Sequence, residues 1–130
     1  MTTPYTATTA GIKVSVVPTP LVAESQPEDG VYAFAYTVTV ENVGHEPCQL
    51  MERHWFVFSD GEQVAEVMGP GVVGEQPEIA PGESYTYTSS TVIYDSIGEM
   101  FGTYTFVTAE GRSFEAVIPR FHLAFPGVVH

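Results

Sequence analysis

The sequence predicts an antiparallel β-sandwich of about seven strands, of immunoglobulin or fibronectin type III character. Proline and glycine, 10 and 12 of the 130 residues, punctuate the chain at short intervals. Between them the segments alternate apolar and polar with period two, and no stretch carries an amphipathic helical pattern of useful length. An antibody-type domain would add a Cys…Trp…Cys core. Here only Cys48 and Trp55 exist, which favours the fibronectin-like variant.

The clearest strand is 31–41, VYAFAYTVTVE, with Tyr32, Phe34, Tyr36, Val38 and Val40 on one face and Ala33, Ala35, Thr37 and Thr39 on the other. A helix would mix those two sets, whereas a strand separates them. A first strand is expected over 12–17. Pro18 and Pro20 should interrupt it before 21–24 continues as an edge, because proline has no N–H to give a ladder. QPEDG at 26–30 reads as a turn. A long strand over 49–59 ends in the turn Ser59-Asp60-Gly61 and returns over 63–67. Another spans 84–93. A hairpin pairs 100–108 with 113–118 around Ala109-Glu110-Gly111, and 121–125 extends or succeeds it. The chain reads as one domain over 1–130, with 1–10 a flexible N-terminal segment.

Charge is the most lopsided property. Sixteen acidic side chains face only Lys13, Arg53, Arg112 and Arg120, a net charge of −12. Nucleic-acid binding relies on Lys and Arg displacing phosphate counterions, and four scattered cations make no basic stripe. DNA, RNA and anionic membranes are therefore excluded as direct ligands. The acidity serves solubility; its sharper readings are a basic partner surface or weak capture of hard divalent cations. The first residues lack both a basic start and an apolar run, so no signal peptide is expected. No apolar stretch approaches the roughly 20 residues of a spanning helix. The lone Cys48 fits a reducing cytoplasm.

Three kinds of motif bear on chemistry. Gly69-Pro70-Gly71-Val72-Val73-Gly74 matches G-x-G-x-x-G, in which glycines let a pyrophosphate approach backbone N–H groups at a helix start. The next ten residues, EQPEIAPGES, hold two prolines and cannot begin that helix. The motif reads first as a structural loop crossing between sheets and second as an anion site on Gly69, Gly71 and Gly74. The histidines at 45, 54, 122 and 130 have no i, i+2 or i, i+4 spacing. They read as ordinary surface or packing residues, with a site assembled across strands, on His122 and His130, as the metal alternative. Cobalt or nickel would prefer such imidazole and carboxylate donors; magnesium would want carboxylates and water. Abundant Ser and Thr alternate as on an exposed strand face, and no G-x-S-x-G elbow is present. No catalytic residue is assigned. Within 49–59, alternation sends Phe56 and Phe58 to one face and Trp55 to the other. Trp55 reads either as lying under a loop or edge, or as a partner-binding patch or dimer contact.

Several segments together resemble the ApaG family: FAYTVTVENVG (34–44), LMERHWFVFSDG (50–61), GPGVVGEQPEIAPGESYTYTS (69–89), IGEMFGTYTF (97–106) and FEAVIPRFHLAFPGVVH (114–130). The likeness runs from about Ile12 onward. Two positions depart from the family pattern, Pro70 where a charged or polar residue is expected and Ser90 where glycine is. The resemblance implies a fibronectin type III-like sandwich, a link to cobalt resistance and magnesium efflux, and a glycine loop proposed to take pyrophosphate or nucleotides. Related domains in F-box and polymerase-interacting proteins look like interaction modules. The resulting expectation is a non-enzymatic module acting through a partner protein, with unblunted sheet edges able to pair with a second copy. The runner-up is a small-ligand binder for Co²⁺, Mg²⁺ or a pyrophosphate-containing nucleotide. Metal-assisted hydrolysis of a phosphate ester or anhydride is third.

Overall fold

The computed structural model describes residues 3–127. Its strands are β1 (Tyr5–Thr9), β2 (Ile12–Pro20), β3 (Tyr32–Asn42), β4 (Cys48–Ser59), β5 (Glu62–Pro70), β6 (Glu78–Ile79), β7 (Ser84–Ile93), β8 (Ile97–Thr108) and β9 (Ser113–Ala124). One sheet runs in the order β1-β2-β3-β7. The other runs β5-β4-β8-β9, with β6 also pairing β4, and the strand pairings are antiparallel throughout. The sandwich expectation is correct, with nine strands among the described residues rather than about seven.

The inner faces close on a single core. Val14 and Val16 of β2, Phe34, Val38 and Val40 of β3, Leu50 of β4, Tyr104 and Phe106 of β8 and Phe121 of β9 are all essentially sealed from solvent. Each set repeats with period two along its strand except where a bulge intervenes. At one rim the fully buried Asn42 ties three segments together. Its Nδ2 donates to the carbonyls of Glu46 (2.7 Å) and Ile79 (3.0 Å), and its Oδ1 accepts from the Gly44 N–H.

Three expectations need correction. Residues 5–9, expected to be flexible, form β1, because the Ala10-Gly11 turn has positive φ at both positions (51° and 83°) and folds the segment back onto β2. Both central residues of a type I′ hairpin take that conformation, which suits strand twist. Pro18 and Pro20 do not interrupt β2; they pair Tyr36 and Phe34 across the ladder. The Leu21 N–H donates to Ala33 O at 2.8 Å, so alternate residues 18 and 20 turn their missing N–H to the side that β1 leaves open beyond Val16. Residues 22–24, expected to continue the edge, form a 3₁₀ turn, succeeded by another over Pro27–Asp29.

One bulge decides how the second sheet is faced. Between Leu50 and Glu52 the β4 register against β8 shifts, so Met51 is the extra residue. The parity of inward residues changes there: Leu50 points in, and beyond it Trp55 and Val57 do.

Candidate functional site

That change of parity places two aromatic sets. Trp55 faces inward, 3 % exposed, against Tyr36, Tyr104 and Phe121. It therefore presents no surface to a partner, and its assignment as an interaction patch is corrected. Phe56 and Phe58 face outward instead. Both stack on Phe101 of β8, at ring-centroid distances of 5.3 and 5.6 Å. The Arg120 guanidinium lies 4.0 Å from the Phe101 centroid and pairs with Glu99 at 2.6 Å. His54 packs on Phe56 at 4.5 Å and meets Glu66 of β5 at 2.7 Å.

Beside this aromatic face runs the strand margin. β5 pairs β4 alone among the described strands, and nearly every residue of it is exposed. Val64, Val67 and Met68 present 39, 40 and 69 % of their surface. The outer face of the five-stranded sheet thus carries half-buried rings and, on β5, Met68 opposite His54, whereas Val67 lies opposite the inward Trp55; the far edge of β5 is unpaired among the described strands.

The glycine motif sits at the end of β5, in another role from the one its spacing suggests. β5 and β6 lie on the same side of β4, so 71–77 is an excursion within one sheet edge and not a crossing between sheets. Val73 and Gly74 have φ of 43° and 82°, and Val72 and Glu75 exchange both backbone hydrogen bonds across them. The Gly71 N–H and Gln76 Nε2 donate to Met51 O, at 2.8 and 3.0 Å. The loop therefore grips the bulged residue of β4. A Cβ on Gly71 would fall 2.1 Å from Glu75 O, and one on Gly69 3.1 Å from the Arg53 guanidinium. The first glycine of the motif makes room for a cation belonging to the chain itself. Arg53 Nη1 donates to Pro70 O and Gly71 O, both at 3.0 Å.

The metal alternative gains no cluster. His122 is exposed on β9, opposite Glu99 in the register, beside a shallow surface depression with Asp60; His130 lies outside the described residues. Among the described residues no three His, Cys, Asp or Glu side chains converge as metal ligands. Cys48 is buried, and burial, with Glu46 nearby, pushes its thiol pKa up, away from nucleophilic thiolate. Inside the sandwich the Tyr87 and Tyr104 hydroxyls hydrogen-bond each other, and burial raises both pKa values. Among the described residues no helix is long and apolar enough to cross a membrane.

Sequence reasoning missed Phe101, Arg120 and Met68 as surface features, and Arg53 as an inward cation. A signal existed in the alternation of 49–59, which sets Phe56 and Phe58 on one face and Trp55 on the other.

Comparison with known proteins fixes the lineage. The ApaG domain model matches residues 22–108. The chain is 49 % identical over 119 residues to Protein ApaG of Ectopseudomonas mendocina, covering 92 % of this chain and 94 % of that protein. It is 46 % identical to Protein ApaG of Dechloromonas aromatica, with the same coverage. The crystal structure of a Bordetella pertussis protein named ApaA superposes with a TM-score of 0.86 at 42 % identity, covering 96 % of this chain and all of that one. A family model over 22–108 and near-full-length relatives of this identity lead to one conclusion: the chain belongs to the ApaG family.

Proposed function

We propose that this protein is a non-catalytic, cytoplasmic interaction module that docks a partner protein on the outer face of its five-stranded sheet and along β5. The observation that carries the reading is the outward Phe56–Phe101–Phe58 stack on a sheet face whose edge strand, β5, exposes Met68 on the same side, opposite His54. Aromatic and Met side chains are enriched at the centres of protein interfaces, where Arg also recurs. An open edge supplies main-chain hydrogen bonds to an incoming strand, from a partner or from a second copy. On this reading any effect on cobalt resistance or magnesium efflux runs through the partner.

The test is affinity capture with three baits: the wild-type protein, Met68→Lys, and Thr88→Lys on the opposite sheet. Met68 is solvent-facing, so Met68→Lys leaves folding intact while setting a charge in the docking surface. A protein retained by wild type and Thr88→Lys but lost from Met68→Lys is the expected result. Equal retention by all three baits would sink the reading.

A further inference from the structure

We propose that the cavity between the β5 and β7 edges is an oxyanion site, taking one carboxylate or phosphate group on Arg53. The sandwich is closed at one margin, where Thr9 of β1 accepts from the Val117 N–H of β9 at 3.2 Å. At the other margin β5 and β7 part, leaving a cavity of about 190 Å³ whose lining includes Arg53, Tyr36, Trp55, Ser89, Thr91 and Val67. It owes its charge to the bulge at Met51, which turns Arg53 inward with the same parity as Trp55.

The charge is unmatched. In a chain of net charge −12, the other two arginines are spent on Glu46 and Glu99, yet Arg53 has no carboxylate partner among the described residues. Its two bonds are to neutral carbonyls, both from Nη1. The three phenols nearby do not supply an anion either. Burial holds Tyr36, Tyr87 and Tyr104 protonated even though Arg53 pulls their pKa values the other way. A half-buried guanidinium without a counter-charge is costly, and a bidentate oxyanion is its best partner. Ser89 and Thr91 line the cavity on the β7 side, with the Ser89 side chain hydrogen-bonded to the Tyr36 phenol. The chain's other acidic groups weaken this attraction less than their number suggests, because exposed charges beyond about 8 Å are largely screened at physiological ionic strength. This site is distinct from the glycine loop's N–H groups, three of which are already bonded within the protein, and from the outer docking face.

The protein provides its own probe, since its single tryptophan lines the cavity. Wild-type protein is titrated at constant ionic strength with inorganic phosphate and, separately, acetate, while Trp55 emission is recorded. A saturable change with at least one is expected, and which of the two saturates assigns the ligand group. Arg53→Gln should weaken it by about tenfold or more, the loss of one charged hydrogen-bond pair. Because Arg53→Gln also loosens the glycine loop, Val67→Glu is the companion variant. It keeps the loop bonds, sets a carboxylate at the mouth, and should abolish the response in a protein with an unchanged melting profile. Arg112→Gln should leave the response intact. No saturation by either anion in the wild type, or saturation undiminished in both Arg53→Gln and Val67→Glu, would overturn the proposal.

Discussion

The two outer faces of the sandwich obey the same alternation and end up chemically opposite. On the four-stranded sheet the outward positions include Thr37 and Thr39 of β3 and Thr86 and Thr88 of β7, with Val92 beyond them. The threonine hydroxyls pair directly across the strands at 2.9 and 3.0 Å. On the five-stranded sheet the corresponding positions carry His54, Phe56, Phe58 and Phe101, roofed in part by Arg120. A hydroxyl ladder satisfies itself and is indifferent to water. Stacked rings on a half-exposed surface still gain from further burial, at roughly 25 cal/mol per Å². A second molecule can therefore add stability on the ring-bearing face and its open edge, and not on the threonine face.

The contrast is disturbed most by moving the backbone beneath the rings. Gly102 of β8 lies so close to β4 that a Cβ would fall 1.9 Å from His54 O. Gly102→Ala must separate β8 from β4, and we expect a loss of about 3 kcal/mol or more in chemical denaturation, the upper range for overpacking. Phe101→Ala comes next. It removes two stacked contacts and the arginine's ring partner, for an expected loss of about 1–3 kcal/mol. Thr37→Ala should cost about 0.5 kcal/mol, the scale of a single exposed cross-strand pair. If Thr37→Ala matched Phe101→Ala in denaturant unfolding, the two faces would not differ as described.

A pH titration reads the interior that separates the faces. Burial raises the pKa of Tyr36, Tyr87 and Tyr104 above the ordinary value of 10.0. The folded state therefore holds those protons after the unfolded chain has released them. The stability they contribute is complete below pH 10 and falls as pH rises beyond it. Absorbance titration should show these three phenols ionising above the ordinary tyrosine range. Ionisation of these three within the ordinary range in the folded protein would contradict the packing around them.

How much of this is legible in the sequence depends on parity. The 31–41 segment has an uninterrupted alternation, and its buried face in β3 is the one its residues predict. For β9 the residues predict a strand over 113–118 with a separate extension. It is one strand because a register shift across Met100/Gly102 accommodates Pro119 within it. In β4 a single extra residue inverts the faces, and nothing in LMERHWFVF marks where it falls. The bulge is held from a distance, by Gly71 and Gln76 on Met51 O. The glycine spacing is plain in the sequence, but its purpose is tertiary: positive-φ turns, a grip on the bulge, and space for a guanidinium. Short polar β1 escapes notice for a similar reason, since Ala7 and Thr9 gain their meaning only from β2 and β9.

Docking on the ring-bearing face is best tested by amide hydrogen exchange, on wild-type protein alone and in the complex recovered by capture. New protection should concentrate over Glu62–Pro70 of β5 and the β4 and β8 segments bearing Phe56, Phe58 and Phe101, with β3 and β7 unchanged. Protection gained on β7 while β5 exchanges as fast as in the free protein would place the partner on the wrong sheet and refute the docking surface.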